Sequence, residues 1–140
     1  MIFKENILDY DIYNSLRKSV DWNAYAEEQA RQALENTYYS LVAYDDNKAI
    51  GMSRVISDGI YFLIVDVVVV PKYQGQGIGT EMMQRLIQYI DKKTPIGSRS
   101  NIQLLSIAGK ESFYEKHGFK RLPNEHCGCG MRKIIHKENM

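Results

Sequence analysis

Gln74-Gly75-Gln76-Gly77-Ile78-Gly79 sets glycines at alternate positions directly before a helical repeat of apolar residues. Glycine at 75, 77 and 79 lets the backbone approach a ligand closely and take angles that a side chain forbids. The first amides of a helix have no intrahelical partners and carry the positive end of its dipole. Successive exposed amides here would make a nest for phosphate oxygens. Two other phosphate motifs fit less well. A Walker loop ends in Gly-Lys-Ser/Thr, whereas Gly79 is followed by Thr80 with no lysine. A dinucleotide fingerprint needs Gly-x-Gly-x-x-Gly and a ribose-binding acid about 20 residues on. Taken alone, the pattern also suits a tight turn with no ligand.

Two further features carry reactive groups. Asp66 interrupts the apolar run Ile60–Val70. A buried carboxylate is costly unless paired, so Asp66 is either a general base or an acceptor for nearby backbone amides. Cys127 and Cys129 flank Gly128, beside His126. They are too close for a disulfide framework, and two cysteines alone do not make a zinc site. No third partner completes a Cys–His nucleophile, so neither a metal nor a covalent acyl-enzyme is expected.

The chain of 140 residues suits one domain, 1–140, with 44% hydrophobic and 25% charged residues. A formal net charge of +1 without a basic block argues against nucleic acid. The start lacks a secretory pattern, and the longest apolar stretch is too short to span a membrane. A cytoplasmic protein with reduced thiols is expected.

These groups need elements to hold them. A short strand over 1–5 precedes helical patterns at Asp9–Ser19 and Trp22–Asn36. Strands follow at Tyr38–Tyr44 and Lys48–Ile56, joined by Asp45-Asp46-Asn47 as an antiparallel meander. The run Ile60–Val70 is apolar at nearly every position, which predicts a central strand buried on both faces, closed by Pro71. Ile78, Met82, Met83, Leu86, Ile87 and Ile90 recur at helical spacing, and Lys92 and Lys93 suit the helix C-terminus. A strand at Ile102–Ile107 completes a βαβ unit and is therefore parallel to the one before it. A short helix at Lys110–His117 and strands near Phe119–Leu122 and Met131–His136 finish an α/β (α+β) chain with a mixed sheet.

Val70-Pro-Lys-Tyr-Gln-Gly-Gln-Gly-Ile-Gly79 resembles the GNAT N-acetyltransferase signature Arg/Gln-x-x-Gly-x-Gly/Ala, met by Gln74, Gly77 and Gly79. Phe113-Tyr-Glu-Lys-His-Gly-Phe119 is similar to that superfamily's Phe-Tyr-Glu-Lys-x-Gly-Phe segment. The resemblance covers roughly 38–135. It implies a mostly antiparallel mixed sheet whose parallel pair splays, with about four flanking helices. It implies acetyl-CoA as co-substrate, its pyrophosphate on Gln74, Gly75, Gln76, Gly77, Ile78, Gly79 and Thr80, and its pantetheine arm along Val68, Val69 and Val70. Tyr114 matches the catalytic tyrosine that serves the departing thiolate. A phenol near pKa 10 is a weak acid toward a thiol near 8.5, so a strong hydrogen bond is the better role. Many relatives carry an Asn where this chain has Ile107.

The expected activity is transfer of acetyl to a primary amine by direct attack in a ternary complex. Asp66, or water, takes the amine proton. Arg54 and Tyr61 are the chief candidates for acceptor binding, with Trp22, Tyr25 and Asp58 behind them. The competing functions are an acyl-CoA-binding sensor without turnover, and transfer of another short acyl group. Expected partners are acetyl-CoA and an amine, without nucleic acid or membrane, and a homodimer is left open.

Overall fold

The computed structural model describes residues 1–138. The chain divides into two compact units, Met1–Leu104 and a second from Leu105 onward. In the first unit the strands are β1 (Ile2–Glu5), β2 (Tyr39–Asp45), β3 (Lys48–Ser57), β4 (Tyr61–Val69) and β5 (Asn101–Gln103), ordered β1-β2-β3-β4-β5. All neighbours are antiparallel except β4 and β5, which are parallel as the βαβ spacing requires. The helices of this unit are α1 (Tyr10–Ser19), α2 (Glu27–Glu35) and α3 (Ile78–Lys93).

Helices α1 and α3 are specified locally. Asp9 caps α1, its Oδ1 accepting from the Ile12 amide at 2.9 Å. Tyr13 and Leu16 then bury one face of α1 against Met52 of β3 and Val68 of β4. Helix α3 buries Ile78, Met82, Met83, Leu86 and Ile90, a stripe at helical spacing. Ile78 and Met82 pack with Ala43 and Ile50.

Three expectations for this unit are corrected. Helix α2 begins at Glu27, because Asp21 takes a φ of 60° and residues 22–26 run non-helical. Strand β4 is not buried on both faces. Phe62 and Ile64 are buried while the alternating Tyr61 and Leu63 are exposed, because the packing of α1 and α2 centres on Met52 and Val68. Strand β5 stops at Gln103 rather than Ile107, and Leu105 and Ile107 are exposed.

In the second unit, α4 (Glu111–Glu115) is shorter than the expected helix. No strand forms at 119–122 or 131–136, and an isolated Asn124–Cys127 bridge between those segments is the only strand-like pairing among the described residues of this unit. Ile134 and Ile135 are adjacent rather than alternating, so no single strand face collects them, and both are exposed.

Candidate active site

The glycine loop leaves β4 through a set of tethers. The Val70 amide donates to the Ile50 carbonyl at 2.9 Å, and one 3₁₀ turn follows at Pro71–Tyr73. The Tyr73 hydroxyl donates to Asp45 Oδ2 at 2.6 Å, and Gln74 Nε2 donates to the Val69 carbonyl at 2.9 Å. Gly75 and Gly77 then take φ of 79° and 84°, the left-handed region that favours glycine. Nothing lies within 4 Å of where a Cβ would stand at either residue. Backbone angle, and not crowding by the protein, is therefore what requires glycine there. Gly77 caps α3 without a side chain, and the buried Ile78 anchors the first turn in the core. Among the described residues the amides of Gly77, Ile78, Gly79 and Thr80 meet no hydrogen-bond acceptor.

The strand feeding this loop has one free edge. Pairing of β4 with β5 ends at Leu63–Gln103, so among the described residues β4 has no strand partner on that side above Leu63. A bulge resets the strand in the same stretch. Arg54 pairs with Val65 and Met52 with Val68, so Asp66 and Val67 stand opposite Ser53 alone. The switch shows in the hydrogen bonds. The Ile60 carbonyl accepts from Asn101 on the β5 side, whereas the Val70 amide donates to Ile50 on the β3 side. Even-numbered residues thus face β5 below the bulge and β3 above it. Of the three valines expected along the pantetheine arm, Val69 turns its backbone to the free edge, while Val68 and Val70 turn theirs to β3. Asp66 sits at the switch with a φ of 53°.

Asp66 is fully engaged. Arg17 Nη1 donates to its Oδ1 at 2.6 Å and Arg54 Nε to its Oδ2 at 2.7 Å. The three side chains are about nine-tenths buried, with exposures of 11% for Arg17 and 9% for both Asp66 and Arg54. Arg54 Nη1 also donates to Thr37 Oγ1 at 3.2 Å. The Arg17 guanidinium lies 5.5, 5.1 and 4.9 Å from the ring centres of Tyr13, Trp22 and Tyr25, and its Nη2 donates to the Asn23 carbonyl at 2.9 Å. Burial, foremost, and the Asp66 carboxylate push the Tyr13 phenol upward. This arrangement is poor for a general base, because a proton arriving at Asp66 would displace charge-assisted hydrogen bonds. It also removes Arg54 from the exposed acceptor candidates. Tyr61 remains one, at 55% exposure. Asp58 holds its own turn, its Oδ1 accepting from the Ile60 and Tyr61 amides, which lowers its pKa. In sequence Asp66 stands out as isolated, but nothing there points to Arg17, which lies 49 residues away.

In the second unit Tyr114 lies in an aromatic cluster. Phe113 meets Tyr114 edge-on at 5.0 Å and His117 at 5.1 Å, and Phe119 meets Tyr114 at 6.2 Å. Gly118, at φ 92°, turns the chain so that the Phe119 amide donates back to the Tyr114 carbonyl. Burial pushes the Tyr114 phenol upward and the His117 imidazole downward. That burial favours the neutral phenol over the phenolate. Glu111 Oε1 accepts from the Gly109 amide at 2.7 Å, tying down the turn before α4. Cys127 and Cys129 are free and exposed, and His126 Nε2 lies 3.1 Å from Glu125 Oε1. Among the described residues no three His, Cys, Asp or Glu side chains gather as a metal site, and no helix is long and apolar enough to cross a membrane.

Known proteins extend this geometry. Residues 36–121 match the family model described as an acetyltransferase (GNAT) domain. An uncharacterised N-acetyltransferase of Pyropia yezoensis is 33% identical over 125 residues, which are 86% of this chain and 69% of that protein. A chloroplastic serotonin N-acetyltransferase of rice is 31% identical over 84% of this chain, which spans only 59% of that protein's length. A crystal structure from meticillin-resistant Staphylococcus aureus, of a protein of unknown function and probable acetyltransferase, superposes with a TM-score of 0.81 at 30% identity. The match covers 96% of this chain and all of that one. The mixed sheet, the glycine loop and these likenesses agree: the chain belongs to the GNAT family of N-acetyltransferases, which implies acetyl-CoA as its co-substrate.

Proposed function

We propose that the chain moves the acetyl group of acetyl-CoA onto a primary amine by direct attack, with donor and acceptor bound together. The observation that carries this is the continuous run from β4 into α3. A strand edge without a partner above Leu63 leads through two positive-φ glycines to helix amides without acceptors. The pyrophosphate lies on the amides of the 74–80 loop, and the pantetheine arm pairs with the free edge at Val69. A backbone amide of that edge faces the thioester oxygen and stabilises the charge that develops there.

Tyr114 gives its hydrogen bond to the departing sulfur, a role suited to a phenol that burial keeps protonated. The amine proton goes to water, since both oxygens of Asp66 are held by arginines. Tyr61, exposed at the start of β4, edges the acceptor. The rice relative is named for serotonin, and for this chain the acceptor is assigned only as a primary amine.

The test is thiol release from acetyl-CoA over a panel of primary amines, with succinyl- and propionyl-CoA as alternative donors. Release that requires an amine supports the reading. Tight acetyl-CoA binding with no release from any amine would instead favour a sensor. Tyr114→Phe should lower kcat about 100-fold with little change in acetyl-CoA affinity. Unchanged kcat removes Tyr114 from the chemistry.

A further inference from the structure

We infer that Arg17, Asp66 and Arg54 form a positioning clamp for the donor, holding the β4 bulge and so fixing which backbone groups face the free edge. The inference rests on the donor reading above and goes beyond it by assigning three buried side chains that the family motif does not contain. Asp66 takes a left-handed backbone angle that L-residues avoid, although Asp tolerates it better than most. The strand must therefore be held there. Each carboxylate oxygen takes one guanidinium, from α1 on one side and from the neighbouring strand β3 on the other.

The arginines are fixed in turn. Arg54 is tied to Thr37 and lies over Tyr13, and Arg17 is enclosed by Tyr13, Trp22 and Tyr25 and tied to Asn23. The clamp thus joins the 22–25 segment to the turning point of β4. Simple stabilisation explains it badly. Buried ion pairs often contribute less than apolar residues of the same volume, and Arg17 Nε is buried here with no acceptor. What the clamp secures is phase. With the bulge in place, Phe62 and Ile64 bury on one side of the sheet, Val68 buries against α1, and Val69 turns its backbone to the free edge. A one-residue slip would exchange those roles.

The test separates the two ends of the donor. Calorimetric titrations use acetyl-CoA and, separately, adenosine 3′-phosphate 5′-diphosphate, which carries the pyrophosphate but no pantetheine arm. Asp66→Asn keeps the shape and tolerates the same backbone angle, but it cannot serve two guanidinium groups. It should weaken acetyl-CoA binding about tenfold or more, the loss of a charge-assisted hydrogen bond. Nucleotide binding should stay within about twofold, since the loop lies beyond the clamp. Arg17→Lys, a gentler change, should show the same split at smaller size, and it decides the matter if Asp66→Asn does not fold.

Equal loss for both ligands in a folded variant, or no loss for either, overturns the clamp and leaves a purely structural ion cluster. Failure of the donor reading looks different, because the unaltered protein would then bind neither acetyl-CoA nor the nucleotide.

Discussion

The two halves of β4 are alike in composition and opposite in surroundings. Below Asp66, Phe62 and Leu63 pair with β3 on one side and β5 on the other. Above it, Val68 and Val69 pair with β3 alone, and the strand leads through one 3₁₀ turn into the glycine loop. The lower half is ordinary sheet interior with one exposed face. In the upper half backbone groups are withheld from the sheet, and the adjoining loop and helix start withhold more. The amides left without acceptors are those of the helix start, Gly77 to Thr80, beside two positive-φ glycines, and such amides suit an anion. The contrast separates residues that make the fold from residues that use it.

That separation can be broken by substitution on either side of the bulge. The largest stability loss belongs to the lower half. Phe62→Ala removes a ring that is fully buried and meets Tyr38 edge-on at 5.7 Å, and should cost about 3–5 kcal/mol in urea denaturation. Val68→Ala, in the upper half, should cost about 1–2 kcal/mol, the loss of two buried carbon groups. Tyr61→Ala, on the exposed face, should stay within about 0.5 kcal/mol and act on the KM of the amine instead. A loss at Tyr61 comparable with that at Phe62 would mean that the two faces of β4 are not distinct.

A smaller effect comes from pH. The Tyr39 phenol stacks on Tyr89 at 3.7 Å and is pushed up to about 12, by burial first and then by the charge of Glu5. In the unfolded chain it titrates near 10. From about 10 upward the unfolded state binds fewer protons than the folded one, so stability falls as pH rises. This contribution is complete below about 10 and gone above about 12. Tyr39→Phe should flatten that part of the pH profile, and an identical profile would discard the assignment.

Much of this is legible in the sequence. Helix α3 follows its apolar stripe from Ile78 to Lys93, because a long helix packed on a sheet must show its period in sequence. The parallel β4–β5 pair follows from the crossover between them. The glycine loop is visible as chemistry, although Gly79 lies inside the helix, without the positive φ of Gly75 and Gly77. The bulge is not visible. An apolar run such as Tyr61–Val69 reads the same in either phase, so the exposure of Leu63 and the edge position of Val69 have no signature. The fate of Asp66 is hidden for a different reason. An isolated carboxylate shows that it needs a partner, but Arg17 and Arg54 reach it only once α1 and β3 are in place. The segment 119–136 misleads because its apolar content lacks the alternation that a strand needs.

A donor pyrophosphate held by the loop after β4 leaves no room for a side chain at Gly77. The most direct test is acetyl-CoA titration of Gly77→Glu beside the unaltered protein. A side chain at φ 84° strains the turn, and a carboxylate there sets bulk and negative charge against the phosphates. The expected result is loss of measurable acetyl-CoA binding in a protein that keeps its circular dichroism, since no protein atom lies within 4 Å of the new Cβ. Normal acetyl-CoA affinity in a folded Gly77→Glu protein would place the donor pyrophosphate elsewhere.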